Sequence, residues 1–429
     1  MKKIILVFLI LISLRTDLIY SRDKNGVHIF SYQVSAEYNK ENNLISVKAI
    51  LEIECFDNNE YIYFMTNNLN INNIKAGSDN IETDLLFDKF GNDSIGIKID
   101  VEKTKQTRFN LIFYYDIQLN DTIKNPEIFY FWYPFIYNDL SRWKVEFSCD
   151  KEFAAYGQGF IGTIIDSTGN KIQYEFFMNQ PIPHFTLILA RKDSYKEKLL
   201  SVNDIFFDYF FVSNDTAVQN KIIQNTCGAF RYYDSLLGKY NYNQLTFIEV
   251  PGYQGVNSQP SFIIMGSMFI DYYDKGLKDW EPHEIAHQWF GSGAFGKHDE
   301  RGNSCVFEPM AEYMKLMYFN YSEGEKYFSA KMNEYKYEYD TEIYNTAKDV
   351  PVIDGDSKRV VYLKGPIILD NLRARLGEEN WLNLLKDIYT NYSGKFFTYK
   401  DLLNIISKFD NNNECMKFYD EWMNKPGRP

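Results

Sequence analysis

The chain has 429 residues, of which 45% are hydrophobic, 17% aromatic and 24% charged, a composition that excludes a disordered, collagen-like or disulfide-scaffold protein. Its 46 basic and 58 acidic residues leave a net charge of -12, so no basic footprint for nucleic acid is present. The length implies two or three domains, and Cys55, Cys149, Cys227, Cys305 and Cys415 form no Cys-x-x-Cys pair, so they define neither a disulfide framework nor a thiolate metal site.

Lys2 and Lys3 precede an apolar run from Ile4 to Leu14 that ends at Arg15 and Asp17, the layout of a secretory signal over residues 1–21. As a helix this run rises about 16 Å, short of the ~30 Å hydrocarbon core. The expectation is a secreted or extracytoplasmic protein, periplasmic or cell-envelope in a bacterium, with no stable membrane insertion after signal removal. An uncleaved N-terminal anchor is the alternative, because no Ala-x-Ala site follows the run.

From about Val27 to Lys192 apolar and polar residues alternate, as in strands with one buried face. Ile45, Val47, Ala49, Leu51 and Ile53 share one face; Ile95, Ile97, Ile99 and Val101 repeat the pattern, and so do Phe109, Leu111, Phe113, Tyr115, Ile117 and Leu119. These runs predict a mostly antiparallel β-sandwich. Helical spacing begins at Thr216 and runs to a stop at Gly238. Strands are predicted at Leu245–Val250 and Phe262–Met265, and helices dominate from Trp280, including one opened by a Thr398/Asp401 capping box. The second half therefore reads as an α+β domain beginning near residue 205.

That half contains His283, Glu284, Ile285, Ala286, His287, and only five histidines occur in the whole chain. Asp279 is a candidate N-cap, Pro282 suits the first turn, and Gly291 marks the stop. Residues four apart share a helix face, so both imidazoles point at one ion and Glu284 at the water beside it. A catalytic zinc takes three protein ligands and keeps a fourth position open, which lets a carboxylate act as general base. The residues three and six beyond His287 are Phe290 and Gly293, which excludes a metzincin continuation. Two third ligands remain: His298, if its loop turns back, and Glu308, which Pro309 places at the start of a helix with Glu312 one turn later.

The string His283–Gly291 (HEIAHQWFG) together with Val306–Tyr313 (VFEPMAEY) resembles the gluzincin zinc metallopeptidases of the membrane alanyl aminopeptidase (aminopeptidase N) and leukotriene hydrolase family. The resemblance implies an α+β multidomain fold, with an N-terminal antiparallel β-sandwich over 22–204 and a thermolysin-like catalytic domain over 205–429. It implies one Zn2+ per chain held by His283, His287 and Glu308, with Glu284 as general base activating the zinc-bound water and Glu312 orienting a ligand histidine. Tyr362, in a Tyr-Leu-Lys-Gly string similar to the family's Tyr-Glu-Lys-Gly, is implied as the oxyanion donor. The spacer of 20 residues between His287 and Glu308 is longer than the family's, and Pro309 stands where the family has glycine.

A second departure lies upstream. The family's Gly-x-Met-Glu-Asn, whose glutamate pairs with the substrate's α-amino group, is replaced by Gly255, Val256, Asn257, Ser258, Gln259. Gly255, Ser258 and Gln259 are thereby expected at the substrate, but without the carboxylate that selects an ammonium; Glu249 or Glu281 is a candidate substitute. The chain closes soon after Tyr362, at Trp422–Gly427, where the family's catalytic domain ends and its large helical domain usually follows. The expected function is zinc-dependent hydrolysis of a peptide or protein substrate, aminopeptidase-like. An endopeptidase or tolerant peptidase without the amine anchor is the first alternative, and a non-catalytic, zinc-retaining binding protein the second.

Overall fold

The computed structural model describes residues 26–429 apart from 57–60, 79–80, 91–92, 99–107, 122, 166–168, 299, 347, 356–358 and 411. The N-terminal apolar run, with Ile99 and Val101, lies outside the described residues. Among those described, no helix is long and apolar enough to cross a membrane.

The alternating runs form the expected strands. In Leu44–Cys55 every second side chain, from Ile45 to Cys55, is buried. An eight-stranded sheet runs in the spatial order Phe160–Ile165, Lys171–Ile182, Ser141–Asp150, Val27–Asn39, Leu44–Cys55, Arg108–Gln118, Asn70–Ser78, Ile81–Asp84. Every described pair in it is antiparallel except one: Val27–Asn39 and Ser141–Asp150 are parallel, with Tyr32 opposite Trp143. Two three-stranded sheets pack their apolar faces against it, with Phe64 edge-on to Phe113 at 5.3 Å and Phe153 edge-on to Tyr38 at 5.2 Å.

The loop 130–140 carries this domain's aromatic side chains toward the catalytic domain, and buried polar contacts fix its course. Tyr32 Oη donates to the Pro134 carbonyl at 3.1 Å and Tyr115 Oη to the Trp132 carbonyl at 2.9 Å. Tyr133 Oη accepts from the Phe185 amide at 2.7 Å.

The second domain's sheet begins before residue 205, because Lys196–Val202 forms a hairpin with Ile205–Phe211 and is its edge. The order continues through Gln244–Val250 and Phe262–Gly266, both parallel, to a short antiparallel edge, Val256–Gln259. The crossover helix Thr216–Leu237 is capped by Asp215, which accepts from the Val218 amide, and it ends at Gly238 with φ 115°. Thr398 and Asp401 form the predicted reciprocal capping box. All five cysteines are buried and none forms a disulfide.

Two features place the catalytic helices. Gln288, fully buried, donates to Ser258 Oγ at 2.6 Å and the Gln259 carbonyl at 2.9 Å, and accepts from the Ser261 amide and Tyr240 Oη, so it laces the histidine helix to the edge strand. Helix Arg359–Leu376 crosses helix Asn303–Glu323 with Gly365 against the ring of Pro309: a Cβ on Gly365 would lie 2.6 Å from Pro309 Cβ. This notch explains the glycine of the Tyr-Leu-Lys-Gly string. Gly365→Ala is expected to push the helices apart and destabilise the fold by about 1–3 kcal/mol, read as a lowered Tm.

Candidate metal centre

The histidine helix spans Glu281–His287, with Pro282 in its first turn where a missing N–H costs least. Asp279 is not its N-cap: its backbone is left-handed at φ 66°, Trp280 takes the cap position, and the Asp279 carboxylate accepts from Tyr327 Oη at 3.3 Å. The helix ends at His287 and the chain turns at Gly291 (φ 122°), where a Cβ would sit 3.3 Å from His287 Nδ1.

Glu308 does not start a helix as expected. The helix begins at Asn303 and carries Pro309 inside it, in its second turn. The missing proline N–H forfeits one intrahelical bond, and the ring is accommodated by the Gly365 notch. Glu308 and Glu312 still lie one turn apart on the side facing His283.

The three ligand atoms form a nearly equilateral triangle. His283 Nε2 and His287 Nε2 are 3.0 Å apart, and Glu308 Oε2 lies 3.3 Å from the first and 3.4 Å from the second. Tetrahedral bonds of ~2.0–2.1 Å to one ion require edges of about 3.3–3.4 Å. The outer nitrogens decide the tautomers: His283 Nδ1 donates to Glu312 Oε2 at 2.7 Å and His287 Nδ1 to the Phe290 carbonyl at 3.0 Å. With each Nδ1 turned outward, both Nε2 atoms and a carboxylate oxygen converge, a donor set that fits a divalent cation and fits zinc by its N2O composition.

The field at the centre is negative. Burial lowers the affinity of both imidazoles for protons, yet the carboxylates outweigh it, and His283 is pushed up to about 10 by Glu308 and Glu312. A site that so favours positive charge on its ligands favours a cation among them. Glu312 is itself held by Lys315 and Tyr335, which fix the carboxylate that orients His283. Burial raises the Glu284 carboxyl above its ordinary value. Burial, then Glu308 beside it, raises the Tyr362 phenol, so it keeps its proton at neutral pH.

His283, Glu284, His287, Glu308 and Tyr362 all border one cavity of about 600 Å³ between the two domains. Phe131, Phe135, Tyr137 and His184 contribute the N-terminal domain's wall, and Val256, Asn257 and Ser258 the edge strand's. His298 also borders it but stacks on Tyr137 at 4.0 Å and does not join the ligand group. Ser258 Oγ donates to the Glu284 carbonyl at 3.0 Å. Gly255 and Gln259 are not on the wall. The Gly255 carbonyl accepts from the Gly266 amide at 2.9 Å, and Gln259 turns to His184 and Thr186.

Neither proposed substitute carboxylate reaches the cavity. Glu249 accepts from the Val212 and Ser213 amides and from Ser267 Oγ, fastening the loop that enters the crossover helix. Glu281 accepts from Tyr273 Oη at 2.6 Å and is pushed up to about 7 by burial. Lys364 is likewise structural: fully buried, it donates to the Lys425 carbonyl at 2.6 Å and secures the C-terminal segment.

Two histidines and a glutamate at tetrahedral spacing, with an uncoordinated glutamate and a phenol on the same cavity wall, define a mononuclear zinc hydrolase centre. Residues 268–422 match the peptidase family M1 domain, and the donor set of His283, His287 and Glu308 fits Zn2+ as the ion of the centre. No curated protein matches the sequence. Among solved structures the chain is similar in fold to an M1 zinc metallopeptidase from Deinococcus radiodurans, with a TM-score of 0.77, 13% identity, and 94% of this chain and 95% of that one covered. It is similar also to a mutant of the Deinococcus radiodurans enzyme bound to a Tyr-Ser-Ala substrate, with a TM-score of 0.75, 12% identity, and 95% and 96% covered.

Proposed function

We propose that this zinc metallopeptidase is aminopeptidase-like, hydrolysing peptide bonds near the N-terminus of peptide substrates, with Glu284 as general base and Tyr362 as oxyanion donor. The observation that carries the reading is the convergence of the ligand triangle, Glu284 and Tyr362 on one cavity of about 600 Å³, a volume suited to the end of a peptide. Bound zinc supplies Lewis acidity, lowering the pKa of a coordinated water toward ~7. Glu284 takes the proton of the attacking water and returns it to the departing amine. Tyr362 donates its O–H to the carbonyl oxygen as negative charge develops there. The bound Tyr-Ser-Ala of the Deinococcus radiodurans relative supports a short peptide as substrate. The Lys2–Leu14 signal layout supports action outside the cytoplasm.

A tolerant peptidase is the second reading, favoured by one observation: among the described residues bordering the cavity, the only carboxylates are Glu284 and Glu308, and both belong to the centre. Mass spectrometry of one peptide, offered with a free and with an acetylated N-terminus, tests both. The free peptide is expected to be shortened stepwise from its N-terminus, the acetylated one to be cut about tenfold more slowly, and both reactions to stop with a chelator and resume with Zn2+. Internal cleavage of both at one rate would establish the second reading, and metal-independent cleavage would end both.

A further inference from the structure

The cavity wall lacks an acidic amine anchor, but it carries a neutral acceptor that the sequence does not advertise. His184 reaches the cavity from the N-terminal domain. Its Nε2 lies 3.0 Å from Gln259 Oε1, and Thr186 Oγ1 donates to the same oxygen at 2.6 Å. The Gln259 amide nitrogen is committed in turn to Asn257 Oδ1 at 2.9 Å, so its oxygen must face the histidine. That chain fixes His184 as the Nε2–H tautomer and leaves the lone pair on Nδ1. Among the described residues no hydrogen bond reaches Nδ1, while Nε2 is committed to Gln259 and the residue borders the cavity. Phe131 packs against the ring with centroids 5.6 Å apart. Burial lowers its pKa to about 4, outweighing the Gln259 contact, so the ring is uncharged at neutral pH.

We propose that His184, through Nδ1, accepts the N–H of the substrate's N-terminal amine, as the uncharged counterpart of the missing carboxylate, with Gln259 positioning it. An ammonium donating to a neutral ring makes a charge-assisted hydrogen bond. It gains no ion pair, so preference for a free N-terminus is present but shallow. This rests on the peptidase reading, and it gives Gln259 a role one residue removed from the substrate.

The test uses the full zinc-loaded chain in a Glu284→Gln background, so that peptides bind without turnover. Calorimetry compares Leu-Ser-Ala with N-acetyl-Leu-Ser-Ala. The parent is expected to bind the free peptide about tenfold more tightly, and His184→Phe, which keeps a ring against Phe131, to abolish that difference by weakening the free peptide alone. His184→Glu is expected to widen the preference beyond tenfold, a gain that a misfolded variant cannot imitate. Equal weakening of both peptides by His184→Phe together with no widening by His184→Glu would overturn the proposal, as would a parent that binds both alike. Glu284-dependent hydrolysis by the His184→Phe variant, measured separately, reports on the peptidase reading itself.

Discussion

Glu284→Gln is expected to lower kcat by about 10³-fold or more while zinc content stays at one per chain. The substitution is nearly isosteric. It removes the proton acceptor and leaves His283, His287 and Glu308, whose Nε2 and Oε2 atoms form the metal triangle, untouched. The helix is held to the edge strand through the Glu284 backbone carbonyl and the Gln288 side chain, so neither Ser258 contact depends on the carboxylate. Loss of activity with retained metal would thus report on proton transfer and not on folding. Elemental analysis and single-turnover hydrolysis of a short peptide measure the two quantities independently. Activity within tenfold of the parent would remove Glu284 from its assigned role, and loss of zinc would mean that it supports the metal.

The convergence of His283, His287 and Glu308 was legible because its geometry is local or nearly so: His283 and His287 are one helical turn apart, and Glu308 and Glu312 repeat that spacing on the next helix. The alternation of Ile45 to Ile53 likewise survives in the fold, since one buried face needs no knowledge of its partner strand. Pairing direction is different. Nothing in the side-chain period distinguishes a parallel from an antiparallel neighbour, so the parallel contact of Val27–Asn39 with Ser141–Asp150 could not be read. Pro309 misled for a related reason. Proline normally marks a first turn, but here it lies inside a helix because Gly365, distant in sequence, makes room for its ring. Asp279 failed as a cap because the left-handed turn before Trp280 takes its side chain to Tyr327. His184 was invisible altogether, since its meaning depends on Gln259, 75 residues away. The ligand triangle comes from helical repeats, whereas much of the remaining cavity wall, Phe131, Tyr137 and His184 among it, comes from loops brought together by the domain interface.

Tyr362→Phe is expected to lower kcat by about 10²–10³-fold with little change in KM or zinc affinity. The side chain is half-buried, its ring centroid 6.1 Å from that of His283, and the phenylalanine ring would fill the same space. Only the O–H is lost, and that O–H matters when the carbonyl oxygen gains charge, not when substrate first binds. The Gly365 notch makes a second, independent check possible. Tyr362 and Gly365 sit one turn apart on a helix whose approach to Glu308 is set by the Pro309 contact, so Gly365→Ala should displace the phenol as well as destabilise the fold. If Tyr362 stabilises the oxyanion, the two variants lose activity through the same group, and the double variant is no slower than Tyr362→Phe alone once compared at equal folded fraction. If the losses multiply instead, Gly365 acts on catalysis by another route, through the Glu308 side of the crossing.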